Sequence, residues 1–542
     1  MSAEPVDEAE GTASTAGALG SGNPTDGHPF TAHQRLAGAA VAAAGSLAIV
    51  ATLVAAGVRM REQFVSLSWQ LLPMEVLRSD PIGGIWYLHT QPPLHNLVVG
   101  AVVRWSPFPE MGTLFVLWMA TLVATTVVLA DVLAGMRLHP VAAGLVATIA
   151  MANPNLLSTI NIASYEIPVA FLLVCSVWLV QRYLRRPALG GLLAVAGALT
   201  ALAMTRSLFH PVFVVVVLTL VGVARKATWR QVAVAVAVPL LVVGGWMGKN
   251  AVVVDRATSS SWFGFNLQRG VTATMARADV EDDVAAGKVS ALALEYPWGP
   301  IEQYEPFTGP CDDPYGDHPA LTIEMKSALV ANFNHACYLA AYDQAADDAE
   351  ALIARHPGRY LSTRRTVLAS SFAMAAVGEG GRIYGTTIDA PTRTWMDAVG
   401  DVALLPTDQQ IHSEDWNLPL LVDGSFPYRS SVTLLLLSVG LLVRAGWSVV
   451  RLARAGWAER DERWRDVDLL WLVVGLAFSV AVLASAMVEF GENGRFRSVL
   501  DPFLVALPLG AAVRLAVRFT RPGTKFVRDR AASGRISHEA PR

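Results

Sequence analysis

Groups able to do acid–base chemistry on a charged substrate recur in this chain at the edges of apolar runs. Between Arg59 and Trp105 stand Glu62, Glu75 and Asp80, the histidines His89 and His95, three tryptophans, and the run Gln91-Pro92-Pro93-Leu94. Further on come Glu166, Arg206, His210, the pair Lys249-Asn250, and Arg495 and Arg497. A carboxylate in hydrogen-bond reach of a hydroxyl can take its proton, and guanidinium groups match the oxygens of a phosphate. The set therefore suits an active-site loop facing a cavity in which an anion, such as a lipid phosphate, is held. Pro92 and Pro93 fix their own φ and push Gln91 toward extended geometry, so a helix ahead of Gln91 should not continue into Leu94.

The elements that must position these residues are membrane helices. Apolar residues make up 53% of the 542 and charged residues 16%; mean hydropathy is +0.41, outside the balance of a soluble globular domain. The first 34 residues, small and acidic, predict disorder. The run Ala37 to Val58 has no basic segment ahead of it and reads as a retained helix rather than a cleaved leader. Apolar runs near 111–134, 140–157, 166–181, 188–205, 209–224, 231–247, 431–443, 467–487 and 498–517 bring the expected spans to ten, an all-α polytopic fold.

Basic residues orient these spans. Arg182, Arg185 and Arg186, then Arg225, Lys226 and Arg230, then the arginines from Arg444 to Arg465, and finally the tail from Arg518 to Arg530 all fall on one side if each run crosses once. The positive-inside rule makes that side cytoplasmic, with both termini there, in a plasma-membrane protein. The organisation is then a cytoplasmic 1–34, a membrane core 35–248 with an outer loop 59–109, an outer domain 249–428, spans within 429–518 and a basic tail 519–542. Leu94 to Val103, short for a span, should lie as a helix at the outer interface. In the outer domain, Pro319 to about His356 reads as one helix. Cys311 and Cys337 lie outside the spans and suit a disulfide in an oxidising exterior, whereas Cys175 lies within a span.

Each candidate also has a plainer explanation. Lys249 at a span end can be a snorkelling anchor, and Glu166 can complement a helix dipole. His89, His95 and His210 can be interfacial hydrogen-bonders. Their convergence on one face favours a site, and Arg206, Lys249, Arg495 and Arg497 run against the inward bias of basic residues as though an anion were held outside. No CxxC, P-loop or HExxH motif is present, and nothing points to nucleic acid.

The order of parts resembles the GT-C superfamily of polyprenyl-phosphate-sugar-dependent glycosyltransferases, which includes protein O-mannosyltransferases and aminoarabinose transferases. The resemblance rests on Tyr87-Leu88-His89-Thr90-Gln91-Pro92-Pro93-Leu94 closing the first outer loop, Glu166 opening the fourth span, Thr205-Arg206 ending the fifth, and Gly494-Arg495-Phe496-Arg497. It covers residues 37 to 270 best. It implies inverting transfer of a sugar from a lipid-phosphate donor to a glycan, lipid or protein acceptor. It also implies substrate contacts by His89, Gln91, His95, Arg206, His210, Lys249, Asn250, Arg495 and Arg497. The family's general base is an Asp early in the first outer loop, often in an Asp-Glu pair; this chain has Arg59-Met60-Arg61-Glu62 there. Asp80, then Glu75, are the expected bases, with Glu62 a third candidate and Glu166 orienting donor or acceptor. Asp80 before Pro81 is equally a helix-start signal. A divalent metal, Mg or Mn, could bridge carboxylate and phosphate, although no closed ligand motif is present.

Two other classes stay open. A multi-pass transporter should show mid-span charges and internal repeats, and no clear repeat is visible. A noncatalytic cell-envelope assembly protein would account for the missing Asp-Glu pair.

Overall fold

The computed structural model describes residues 30–158, 160–311, 315–372, 390–403, 432–454 and 462–520. These residues are helical without strands, apart from one isolated bridge between Met325 and Ala331. Six helices are long and apolar enough to cross a membrane: Ala32–Ala55, Glu110–Gly135, Glu166–Arg185, Trp229–Val254, Thr433–Arg454 and Asp466–Val488. Counting the bent pair Pro140–Met151 and Pro154–Ile162 as one span makes seven. The chain is thus an all-α membrane protein. The other expected runs are also helical, as Leu189–Thr205, Pro211–Ala224 and Asp501–Thr520.

Local chemistry sets the helix starts. Thr31 and Gln34 form a capping box, as do Thr228 and Gln231, each pair satisfying backbone N–H groups that a first turn leaves free. The first helix therefore begins at Ala32, inside the segment 1–34 expected to be disordered; most of that segment and of the tail 519–542 lie outside the described residues. Prolines open Pro140–Met151 and Pro211–Ala224, where a missing N–H costs nothing. Close packing then needs small residues. A Cβ on Gly38 would lie 2.5 Å from the Pro140 carbonyl oxygen, and one on Gly144 2.6 Å from that of Gly38, so these two helices meet backbone to backbone.

Ionic pairs close the bundle at both ends. At one end Arg35 grips Asp131 at 3.0 Å, with Trp178 Nε1 donating to the same carboxylate at 2.8 Å. Arg225 meets Asp466 at 2.7 Å and Arg444 meets Asp468 at 2.8 Å. At the other end Arg495 pairs with Glu166 at 2.8 Å and Arg497 with Asp501 at 2.9 Å. Such charges are tolerated in an apolar setting when they are paired.

The first loop and the long insertion sit together over this second end. Helices Met74–Ser79 and Pro81–Trp86 lead to the break at Tyr87–Pro93, and Leu94–Trp105 follows, so the proline pair divides the loop as expected. The insertion is built around Phe263–Thr272 packed on Tyr338–Arg355, where a Cβ on Gly264 would collide with the Tyr342 carbonyl. Cys311 and Cys337 are placed as a disulfide with Cα atoms 5.5 Å apart. The single helix expected over Pro319–His356 is instead two, Pro319–Thr322 and Tyr338–Arg355. Between them Leu329 takes φ +57° and the Asn332 side-chain amide donates to the Ala320 and Ile323 carbonyls, so the backbone turns back on itself.

The insertion is fastened to the loop. Lys326 Nζ donates to the carbonyls of Ser68 (2.8 Å) and Leu71 (2.6 Å). Burial lowers this lysine to about 7, and a neutral amine still has two hydrogens for two carbonyls. Trp69 stacks on Trp298 at 5.3 Å, joining the two segments in one aromatic core.

Candidate functional site

Loop, insertion and span ends enclose a cavity of about 500 Å³, a size typical of sites for small ligands. Its polar lining includes Gln91, Arg206, His210, Asn266, Arg269 and Glu489. Trp69, Tyr165, Trp262, Trp298 and Phe496 supply aromatic surface.

Arg206 follows directly on Leu189–Thr205 and is 2% exposed. Its guanidinium carbon lies 4.8 Å from the centre of the Tyr165 ring and 4.4 Å from that of Phe496. The rings hold the cation in place, yet both terminal nitrogens lack a hydrogen-bond partner. A buried group of this kind is costly unless something completes it.

Glu489 ends the span Asp466–Val488, in which Ser479–Ala484 forms a π-helical segment. Such segments widen a helix locally and recur at functional sites. The carboxylate is 2% exposed; Oε1 accepts a bond from an Arg269 terminal nitrogen, and Oε2 has no partner. Burial pushes this carboxyl up to about 7, against the opposing pull of Arg269. Trp298 adds backbone strain, with φ at +101°. The Tyr304 hydroxyl holds it there by accepting from the N–H groups of Trp298 (3.0 Å) and Gly299 (2.8 Å).

Of the residues singled out in the sequence, Gln91, Arg206 and His210 line the cavity. His210 also caps Pro211–Ala224 by accepting from Val212 N–H. The others have structural partners. His89 is fully buried, with one ring nitrogen bonded to the Asn334 carbonyl at 2.9 Å and the other to Ser261 Oγ at 2.6 Å. A carbonyl can only accept, so Nε2 carries the hydrogen and Nδ1 receives the serine proton. Burial holds His89 down at about 3, keeping the ring neutral. His95 packs edge-on to Trp118 and Tyr165 and is held by burial at about 4. Lys249 donates to the Leu88 carbonyl at 2.6 Å and sits 3.7 Å from the centre of the Trp246 ring, while Asn250 donates to the Thr258 carbonyl. Arg495 is engaged by Glu166 and Glu492, and Arg497 by Asp501 and the Ser371 carbonyl.

None of the three first-loop carboxylates lines this cavity. Asp80 accepts from Gly83 N–H as the cap of Pro81–Trp86, realising the Asp-Pro start signal, and its side chain is 59% exposed. Glu75 is exposed, and Glu62 meets Arg78, which also holds Glu110. Glu166 is spent on Arg495. Glu489, Arg269 and Trp298 carry no role in the sequence reading. Their signal is faint, because Arg269 and Glu489 are 220 positions apart.

Among the described residues, the one converging set of three possible metal ligands is Cys311, His335 and Cys337, and its two sulfurs are joined as a disulfide. The cavity's own glutamates, Glu489 and Glu492, are each held by an arginine, so the donor set fits a divalent cation poorly. No protein-family model, curated protein or solved structure matches this chain.

Proposed function

We propose that the protein is a membrane glycosyltransferase that moves a sugar from a polyprenyl-phosphate carrier to the hydroxyl of a glycan, lipid or protein at the outer face of the plasma membrane. The observation that carries this reading is Arg206, a buried guanidinium lining an aromatic cavity with two nitrogens that have no hydrogen-bond partner. A lipid phosphate is an anion that reaches a span end from the bilayer side, and rings such as Trp262 offer stacking surface to a sugar. Purified protein is expected to release polyprenyl phosphate from at least one member of a panel of radiolabelled polyprenyl-phosphate hexoses and pentoses. Failure to consume every donor, in the presence of membrane-extract acceptors, would count against the reading.

In this arrangement all ten helices cross, with both termini cytoplasmic. Support comes from the charge pairs at opposite ends: Arg206 opens onto the cavity just after Leu189–Thr205, whereas Arg225 just after Pro211–Ala224 reaches Asp466 at the other end. At about 1.5 Å per residue these helices would extend about 25 and 21 Å, short but pinned by the longer neighbours. A cysteine in place of exposed Lys288 should react with a membrane-impermeant maleimide in intact cells. Protection there, with reaction after permeabilisation, would invert the arrangement.

A further inference from the structure

We propose that Glu489, from the end of the span Asp466–Val488, is the general base of the transfer, in place of any carboxylate of the first loop. This rests on the glycosyltransferase reading above. Three observations point the same way: Glu489 lines the cavity that holds Arg206, its Oε1 is tied to Arg269, and its Oε2 is buried without a partner. A carboxylate fixed by one oxygen and unpartnered at the other, in the wall of a cavity, is placed to accept a proton from a molecule bound there. The first-loop candidates lack that setting, being exposed or engaged elsewhere.

The acceptor oxygen forms a bond to the anomeric carbon while the bond from that carbon to the phosphate oxygen breaks. The bonding pair leaves on the phosphate, whose charge Arg206 receives, and the acceptor's proton passes to Oε2 of Glu489. Burial supports the role, since a carboxyl raised to about 7 holds an abstracted proton better than an exposed one.

The groups around Glu489 define its titration. Arg269 faces it from Phe263–Thr272, and Glu492 and Arg495 follow it in the next turn. Arg364 and Tyr360 approach from Pro357–Ser370, bonding the carbonyls of Ala486 and Met487. Arg206 completes the set across the cavity. The base must be ionised to work, so the rate should rise with pH through an apparent pKa near 7.

The test uses the full-length protein in detergent with whichever radiolabelled polyprenyl-phosphate sugar it consumes. Glu489→Gln is expected to lower kcat by about 10²- to 10⁴-fold, to leave donor binding within about twofold, and to abolish the rising pH limb. Glu489→Asp, which keeps a carboxylate, should retain partial turnover and a pH limb; it carries the test alone if the glutamine variant does not accumulate. Wild-type protein that consumes no donor overturns the functional reading and this assignment with it. Wild-type turnover that persists in Glu489→Gln, or an aspartate variant with no pH limb, overturns the assignment of Glu489 alone.

Discussion

Replacing Arg206 by methionine is expected to lower turnover of the lipid-phosphate donor by about 10²- to 10³-fold, the usual cost of losing one preorganised donor at a site of developing charge. Both kcat and donor KM should change, because the phosphate is anionic before transfer and gains charge as the glycosidic bond breaks. Stability should move the other way. Arg206 is 2% exposed and its two terminal nitrogens lack hydrogen-bond partners, so the fold bears a desolvated cation compensated by the neighbouring rings and the charge of Glu166. A methionine of similar length keeps contact with Tyr165 and Phe496 and removes that cost, so the melting temperature should hold or rise. Arg495→Met is the contrast: it would leave Glu166 buried without its guanidinium, at about 3–5 kcal/mol. A variant at Arg206 that melts early yet turns over normally would mark the residue as structural and take the anion site away.

That contrast explains how far the sequence could be read. Helix existence and the break at the proline pair were legible because apolar runs and Pro92-Pro93 are local signals. The pairing of cysteines was legible for a similar reason, since few candidates existed. What separates Arg206 from Arg495 and Arg497 is not local at all. Arg495 finds Glu166 329 positions away, and nothing in Gly494-Arg495-Phe496-Arg497 announces which arginine is neutralised. Asp80 illustrates the opposite failure, in which a local signal was present and gave way to a functional one; Asp before Pro capped a helix because the cap N–H groups were nearest. The overlong helix at Pro319–His356 has the same origin. Ala-rich composition continued through a segment whose asparagines bind carbonyls of their own loop and of the first loop.

Replacing Asn334 by alanine should release the first loop from the insertion and disable the site without touching it. The Asn334 Oδ1 accepts from the N–H groups of His89 (2.9 Å) and Thr90 (3.3 Å), and its amide donates to the carbonyls of Tyr87 and Ala320, both at 3.1 Å. Truncation leaves the His89 and Thr90 N–H groups and the Tyr87 carbonyl unpaired, while the Ala320 carbonyl keeps Asn332; at about 1–3 kcal/mol each, the loss should come to roughly 3–5 kcal/mol after partial relaxation. From the opposite side Ser261 N–H donates to the His89 carbonyl (3.0 Å) and Ser260 Oγ to that of Thr90 (2.6 Å). The stretch 87–90 is thus clamped between two parts of the insertion, and Gln91 at its end lines the cavity along with Ser260 and Trp262. Loosening the clamp should speed hydrogen exchange at the amides of His89 and Thr90 and lower turnover with it. Acid should mimic the mutation. His89 is held at about 3 in the folded protein against an ordinary 6.5, so the unfolded or undocked state binds the extra proton and stability falls as pH drops below about 6.5. His89→Gln should weaken that dependence, leaving the share from His95, which burial holds at about 4, whereas Asn334→Ala should shift the whole curve downward. Exchange at residues 89 and 90 as slow in Asn334→Ala as in wild type would mean that the clamp is held by something else.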